Sequence, residues 1–490
     1  MQFHSLRKLA LVFALGALSA CGSDSDRPVE IVALGESASP FAGGARLPIA
    51  AQLVRSATAE GLVGFDEQGR AIPALADRWI VTDDGLSYIF RLRDGTWADG
   101  SAISGDSAKQ ALLNAIGSAK AGPLGGDLAV IAEVRAMAGR VIEIRLRQQM
   151  PDLLQVLAQP ELGLLRAGRG AGPMKLTRKK DAALLRPIPP EDRGLPQEEG
   201  WKERAGRLRL TASNAAKAIE RFNKGEVDVV LGGRFSDFPR LDAAGVSRGA
   251  VRLDPVSGLF GLAVVRSDGF LAEPENREAL AMAVDRDGLI SALNVGGWTA
   301  TTRVVNPGLE GDNGTIVERW LGRSLEERRS QAAARVKAWR GSSRDAPVLR
   351  IALPTGPGGD ALFNRLKADF SAIGIEARRA GEAADAELRL IDTAARYGRA
   401  SWFLNQLSCA NMPAVCSSQA DRMTAKALEE SDPVKRADLY AQAEAQLTIA
   451  NSYIPFGVPI RWSLVSGKVT GFAANRWNLH PLMPLAMRPK

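Results

Sequence analysis

The sequence predicts a two-lobed α/β fold, and three observations carry the prediction. At 490 residues the chain exceeds the size at which a single hydrophobic core keeps growing, so more than one structural unit is expected. Two stretches, beginning near Arg207 and Pro347, repeat one grammar of strand, helix, glycine and strand, which implies parallel pairing within two separate α/β units. A third stretch, Ala59 to Ala111, reads instead as antiparallel β structure with tight turns.

In chain order, Val29 to Leu34 reads as the first strand of the mature fold and leads into the loop Gly35 to Phe41. In the β-rich stretch, Leu86, Tyr88, Phe90 and Leu92 alternate with Ser87, Arg91 and Arg93, with Ile89 the exception on the outer face. Such alternation is the pattern of a half-buried strand. Asp84-Gly85, Asp94-Gly95 and Asp99-Gly100 punctuate it, because glycine tolerates positive φ and aspartate bonds its own backbone. A helix from about Ser107 to Ser118 follows, then a strand pair, Val130–Val134 and Val141–Leu146, and a helix from Pro151 to Ala158.

The first α/β unit runs through strand Arg207–Leu210, a helix Asn214–Lys224 burying Ala218, Ile219 and Phe222, Gly225 as its stop, and strand Val227–Leu231. The second runs through Pro347–Leu353, a helix from about Asp360 to Ala372, Gly374, and Ile375–Arg379. Between them, Glu278 to Leu293 reads as a helix broken near Asp287-Gly288, whose acids are caps and surface charges. A long amphipathic helix, Pro433–Thr448, precedes strand-like segments from Tyr453 to Ile460 and on through Val469–Phe472.

The first twenty residues hold a short cationic start, Arg7-Lys8, and an apolar run from Leu9 to Ala20 that is too short to span a bilayer. Leu18-Ser19-Ala20-Cys21 matches the lipobox of bacterial lipoproteins. The expectation is cleavage before Cys21, acylation of that residue, and a polar tether over 21–28 that holds the protein on the membrane. Removing Arg7 and Lys8 from 63 basic residues leaves 61 against 55 acidic, a charge of about +6. These charges are scattered and paired, as in Glu326-Glu327-Arg328-Arg329, so no nucleic-acid partner is expected.

With Cys21 acylated, Cys409 and Cys416 remain in an exported chain and are expected to form a disulfide. Their spacing is not CxxC and no histidine lies near, which argues against a metal or redox site. The only histidines are His4 and His480, so a triad hydrolase lacks its base and a zinc enzyme lacks its ligands. No cofactor and no enzymatic activity are expected.

Pro73-Ala-Leu-Ala76, Trp79, Asp83-Asp-Gly-Leu86, Phe90, Leu92-Arg-Asp-Gly95, Trp97 and Asp99-Gly100 together resemble the signature of the family 5 solute-binding proteins, the peptide-type extracellular receptors of ABC importers. That family usually has one more residue between Gly95 and Trp97. Gly170-Ala-Gly-Pro173 resembles the family's Gly-x-Gly-Pro-Tyr turn, with Met174 in place of tyrosine, and Ala279-Leu-Ala-Met-Ala-Val-Asp-Arg286 resembles its second-lobe helix.

The resemblance implies a periplasmic-binding-protein fold of the cluster C type with an extra β-rich subdomain. Lobe I would comprise 29–48, 171–258 and 461–490, the β-rich subdomain 49–170 and lobe II 259–460, with hinges near Ser257-Gly258 and Pro459-Ile460. It further implies a monomer in the bacterial envelope, on the periplasmic face, that closes over a small-molecule or peptide solute and presents it to an ABC permease/ATPase complex of the inner membrane.

One segment departs from the family. Peptide receptors carry Ala-Asp-Tyr-x-Asp-Pro before Phe-Leu, and the aspartate clamps the peptide ammonium; here Ala395-Arg-Tyr-Gly-Arg-Ala400 precedes Phe403-Leu404. Arg396 stands at the aspartate's position, which suits a carboxylate or phosphate rather than an ammonium. Arg396, Tyr397, Trp402, Asn405, Trp298, Ser39 and Phe41 are the expected ligand contacts, with the two tryptophans as apolar walls. The competing reading is an envelope lipoprotein that keeps the fold as a signalling or interaction module.

Overall fold

The computed structural model describes residues 27–342 and 345–488; the leader and Cys21 lie outside the described residues. Two mixed sheets form its two centres. The first has seven strands, in spatial order Met174–Lys179, Ala182–Pro187, Leu208–Ser213, Val29–Leu34, Val229–Arg234, Arg461–Val465 and Val251–Leu253. The second has five, in the order Glu376–Arg379, Val348–Ala352, Leu388–Ala394, Gly258–Val264 and Tyr453–Gly457. A separate antiparallel sheet of Ala76–Val81, Ser87–Leu92, Val141–Leu146 and Ile131–Met137 is built from the β-rich stretch.

Both α/β units form, and one differs from its expected pairing. Leu208–Ser213 and Val229–Arg234 do not touch; Val29–Leu34 lies between them, parallel to both. The first strand of the chain is therefore the centre of the first lobe, buried at Ile31, Val32 and Ala33. The intervening helix, Ala215–Asn223, starts where Asn214 accepts the Lys217 N–H. In the second unit Val348–Ala352 pairs directly with Glu376–Arg379.

Three other expectations need correction. The helix break falls at Val284-Asp285, not Asp287-Gly288: Pro274–Ala283 ends, and Asp285 caps Arg286–Leu293 by accepting the Gly288 N–H at 2.9 Å. Val469–Phe472 forms no strand; Gly471 takes φ +76° and turns the chain, while Val469 and Phe472 still pack on the first core. A helix that the turn and strand signals did not reveal, Ile49–Thr58, buries Ala50, Leu53, Val54 and Ala57 against the seven-stranded sheet. The β-rich stretch thus begins after it. Gly172 returns past the end of that helix so closely that a Cβ there would sit 2.3 Å from the Thr58 carbonyl carbon, which is why the Gly-x-Gly turn admits no side chain.

The chain passes between the large sheets twice, between Leu253 and Gly258 and between Gly457 and Arg461. Beneath the four-stranded sheet, Phe90, Trp97, Ile142 and Ile144 share one core with Trp402, Phe403, Tyr440 and Leu447 from the helices Ala400–Gln406 and Pro433–Ala450. That shared core brings segment 395–406 directly against the β-rich unit.

Candidate functional site

Strand Leu388–Ala394 delivers the departing segment to the junction, where the Ala395 N–H donates to the Ser257 carbonyl at 2.8 Å. Three polar side chains within four residues, Arg396, Tyr397 and Arg399, then reach across to the β-rich unit. The Arg396 Nη1 donates to Gln159 Oε1 at 2.6 Å and its Nη2 to Glu161 Oε1 at 3.2 Å. Gln159 returns a bond from Nε2 to the Arg396 carbonyl at 3.2 Å. The Tyr397 hydroxyl donates to Asp127 Oδ1 at 2.8 Å, and Arg399 Nε to Asp152 Oδ2 at 2.5 Å. Asp127, Asp152, Tyr397, Arg399, Asn405 and Tyr440 surround a pocket of about 60 Å³ at this junction.

The electrostatics are those of charges held out of water. Glu161 is 2% exposed and Arg396 18% at the side chain, so removing either partner strands the other in a poorly hydrated place. Burial pushes the Asp127 carboxyl up to about 6, against the opposing pull of the Tyr397 hydroxyl and the Arg396 charge. Burial first, and then Asp127, hold Tyr397 well above the usual phenol range. Burial also raises Asp152, with Arg399 acting against it.

A further arginine faces Glu161. Arg55, on the helix Ile49–Thr58, is pulled down by burial and up by the Glu161 charge. Among the described residues no side chain hydrogen-bonds its guanidinium. One oxygen of Glu161, Oε2, is buried without a partner. A second trio lies where the sheets approach: Arg461 Nη1 donates to Asp392 Oδ1 at 2.7 Å, and Arg234 stands 3.6 Å from Oδ2 of the same carboxylate.

The other expected contacts are placed as follows. Trp402 is 1% exposed and packs edge-on against Phe403 in the core. Trp298 belongs to a different core, against Phe260 and Phe456, with its Nε1 donating to the Val458 carbonyl at 2.6 Å. The structure does not bring the two tryptophans together, and Trp402 offers no wall beside Arg396, because the helix that starts at Ala400 turns it inward. Ser39 is buried in a short turn with its Oγ unpartnered. Phe41 packs on the first core with the Arg178 guanidinium 4.1 Å above its ring. Cys409 and Cys416 are joined, with Cα atoms 5.0 Å apart. Among the described residues no group of three or more His, Cys, Asp or Glu could hold a metal ion, and no helix is long and apolar enough to cross a membrane.

Sequence reasoning missed Arg55, Asp127, Asp152, Gln159 and Glu161. A signal existed for the last two: a half-buried arginine needs an acceptor on the opposing side.

The family model described as bacterial extracellular solute-binding proteins, family 5 middle, matches residues 70–184. A dipeptide-binding protein of Pseudomonas aeruginosa is 23% identical across 87% of this chain and 89% of its own. Over residues 70–184 the chain is similar to the family 5 solute-binding proteins. A probable deoxycholate-binding periplasmic protein of Escherichia coli is 33% identical over 121 residues, 21% of this chain and 23% of that one. The murein tripeptide binding protein of Escherichia coli has a similar fold, with a TM-score of 0.78 at 17% identity over 95% of this chain and 98% of that chain.

Proposed function

We propose that this chain is a family 5 solute-binding protein, the lipid-anchored receptor of an ABC importer, and captures a small solute bearing a carboxylate or similar acid group. The observation that carries the reading is the pairing of Arg396 on one side of the junction with Glu161 on the other, where Glu161 also faces Arg55. Arg396 and Arg55 both face Glu161, and Arg396 also acts on Asp127. The carboxylate of the solute replaces Gln159 as the acceptor of Arg396, and an arginine fork holds it bidentately. An ammonium group, which suits the usual aspartate, meets only repulsion from Arg396. That a relative is named for deoxycholate, itself a carboxylate, supports the same class.

Closure follows from the placement of the contacts. Arg396, Tyr397 and Arg399 meet their partners only when the 395–406 segment lies against the β-rich unit, so a solute touching both sides shifts the open and closed populations. Cys21 supplies the membrane attachment and a permease receives the solute.

A thermal-shift screen of small carboxylates, amines and neutral solutes tests the reading. A cognate acid at 100 times its Kd adds about 2.7 kcal/mol, and Arg396→Gln should remove that gain. A screen in which amines stabilise and acids do not overturns it; stabilisation by none of the three favours the signalling or interaction module. Cys21→Ser should move the protein from the membrane to the soluble fraction.

A further inference from the structure

A cavity of about 260 Å³ lies between the helix Ile49–Thr58, the hairpin of Val63–Phe65 and Ala71–Pro73, and the C-terminal segment 479–484. No residue between 194 and 478 lines it, so Arg396 itself is not among its walls. Leu53, Phe65, Ile72 and Leu482 supply apolar lining, and Glu60 and Arg193 supply a charged end.

That end carries a surplus of positive charge. Arg93 donates from Nη2 to Glu60 Oε2 at 2.5 Å, and Arg193 donates from Nη2 to Glu60 Oε1. The remaining Arg93 donors go to backbone, Nε to the Ala74 carbonyl at 2.9 Å and Nη1 to the Arg193 carbonyl at 2.8 Å. Arg193 Nε is buried with no partner. Among the described residues, Glu60 is the one carboxylate in ion-pair range of either guanidinium, so one negative charge serves two cations. The other charged lining groups do not change this balance at Arg193. Asp66 is paired with Arg70 at 2.7 Å, His480 faces Asp254 at 3.1 Å, and Glu67 accepts from the Gln68 side chain. A buried cation short of a counter-charge is costly, and an apolar chamber beside it gives the missing anion a specific shape.

We propose that this cavity binds a small monocarboxylic acid, with its carboxylate at Arg193 and its apolar body between Leu53, Phe65 and Ile72. A water molecule occupies about 30 Å³ of liquid, so the volume suits a ligand of on the order of nine non-hydrogen atoms, the size of a short-chain or small aromatic acid. Gln159 lines the cavity and also accepts the Arg396 bond, so occupancy and lobe contact share one side chain.

Calorimetric titration with hexanoate, hexanol and hexylamine tests the site. Hexanoate should bind at 1:1, and hexanol and hexylamine at least tenfold more weakly. Ile72→Trp, which fills the chamber from a partly exposed position, should weaken hexanoate at least tenfold, as should Arg193→Gln; should Arg193→Gln fail to fold, Ile72→Trp alone decides. Loss of hexanoate binding in Arg396→Gln with retention in Ile72→Trp would place the acid in the junction and overturn the proposal, while leaving the receptor reading intact. Equal binding of hexanol, or no hexanoate binding, also overturns it.

Discussion

Replacing Asp127 by asparagine probes the junction through a measurable pH dependence. In the folded protein the Asp127 carboxyl titrates at about 6 in place of the ordinary 3.8. The groups that face it are the Tyr397 hydroxyl, the Arg396 guanidinium and the Asp152 carboxylate. A folded-state value above the unfolded one means that the native state takes up a proton that the unfolded chain does not, so stability rises as pH falls from about 6 towards 4. Above pH 6 the ionised group costs its full burial penalty. About two pKa units at 1.36 kcal/mol each set that penalty at about 3 kcal/mol. Asparagine carries no charge and still offers a carbonyl to the Tyr397 hydroxyl. Asp127→Asn should therefore be more stable than the wild type at pH 7 to 8, by up to about 3 kcal/mol, and the advantage should vanish near pH 4. Urea unfolding of both proteins at unit pH intervals from 4 to 8 measures the difference. An advantage that does not change with pH, or one that grows as pH falls, refutes the argument.

Other consequences follow from the same contacts. Arg396→Ala leaves Glu161 buried beside Arg55 alone and should lower stability by up to about 3 kcal/mol; adding Glu161→Gln should recover most of this, and additive losses in the double variant would show that the pair is not coupled. Gly172→Ala places a methyl 2.3 Å from the Thr58 carbonyl carbon and should cost about 1–3 kcal/mol in chemical unfolding, whereas a cost under about 0.5 kcal/mol would mean that the turn yields freely. Reducing the short loop closed by Cys409 and Cys416 should lower stability by about 2 kcal/mol, with no change in the thermal midpoint as the contrary result.

The parts of this fold written in local pattern were legible. Alternation at Leu86 to Leu92 predicts the strand Ser87–Leu92, and Asn214 with Gly225 brackets the helix Ala215–Asn223. What local pattern lacks is partner information. Val29–Leu34 fits between two later strands through pairing with Leu208–Ser213 and Val229–Arg234, a choice made across almost 180 residues or more of chain. The helix Ile49–Thr58 begins after Pro48 without a side-chain cap, so neither of the usual start signals of a polar cap and an acidic first turn announces it. At the site, Arg396 drew notice because its neighbours resemble a known pattern. Its partners were not, since Gln159 and Glu161 lie 237 and 235 residues away with no periodicity linking them. Trp402 misled because an aromatic residue near a cleft motif reads as a wall, while the register of the helix Ala400–Gln406 turns it into the core shared with Phe90 and Trp97.

The central claim is that the junction at Arg396 accepts an acid group. Mass spectrometry of small molecules that remain with the protein after mild purification from its own envelope, compared between wild type and Arg396→Gln, tests it most directly. One acidic solute per wild-type chain is expected, depleted at least tenfold in Arg396→Gln. An amine-bearing or neutral solute without an acid group, or an acid held equally by both proteins, would contradict it.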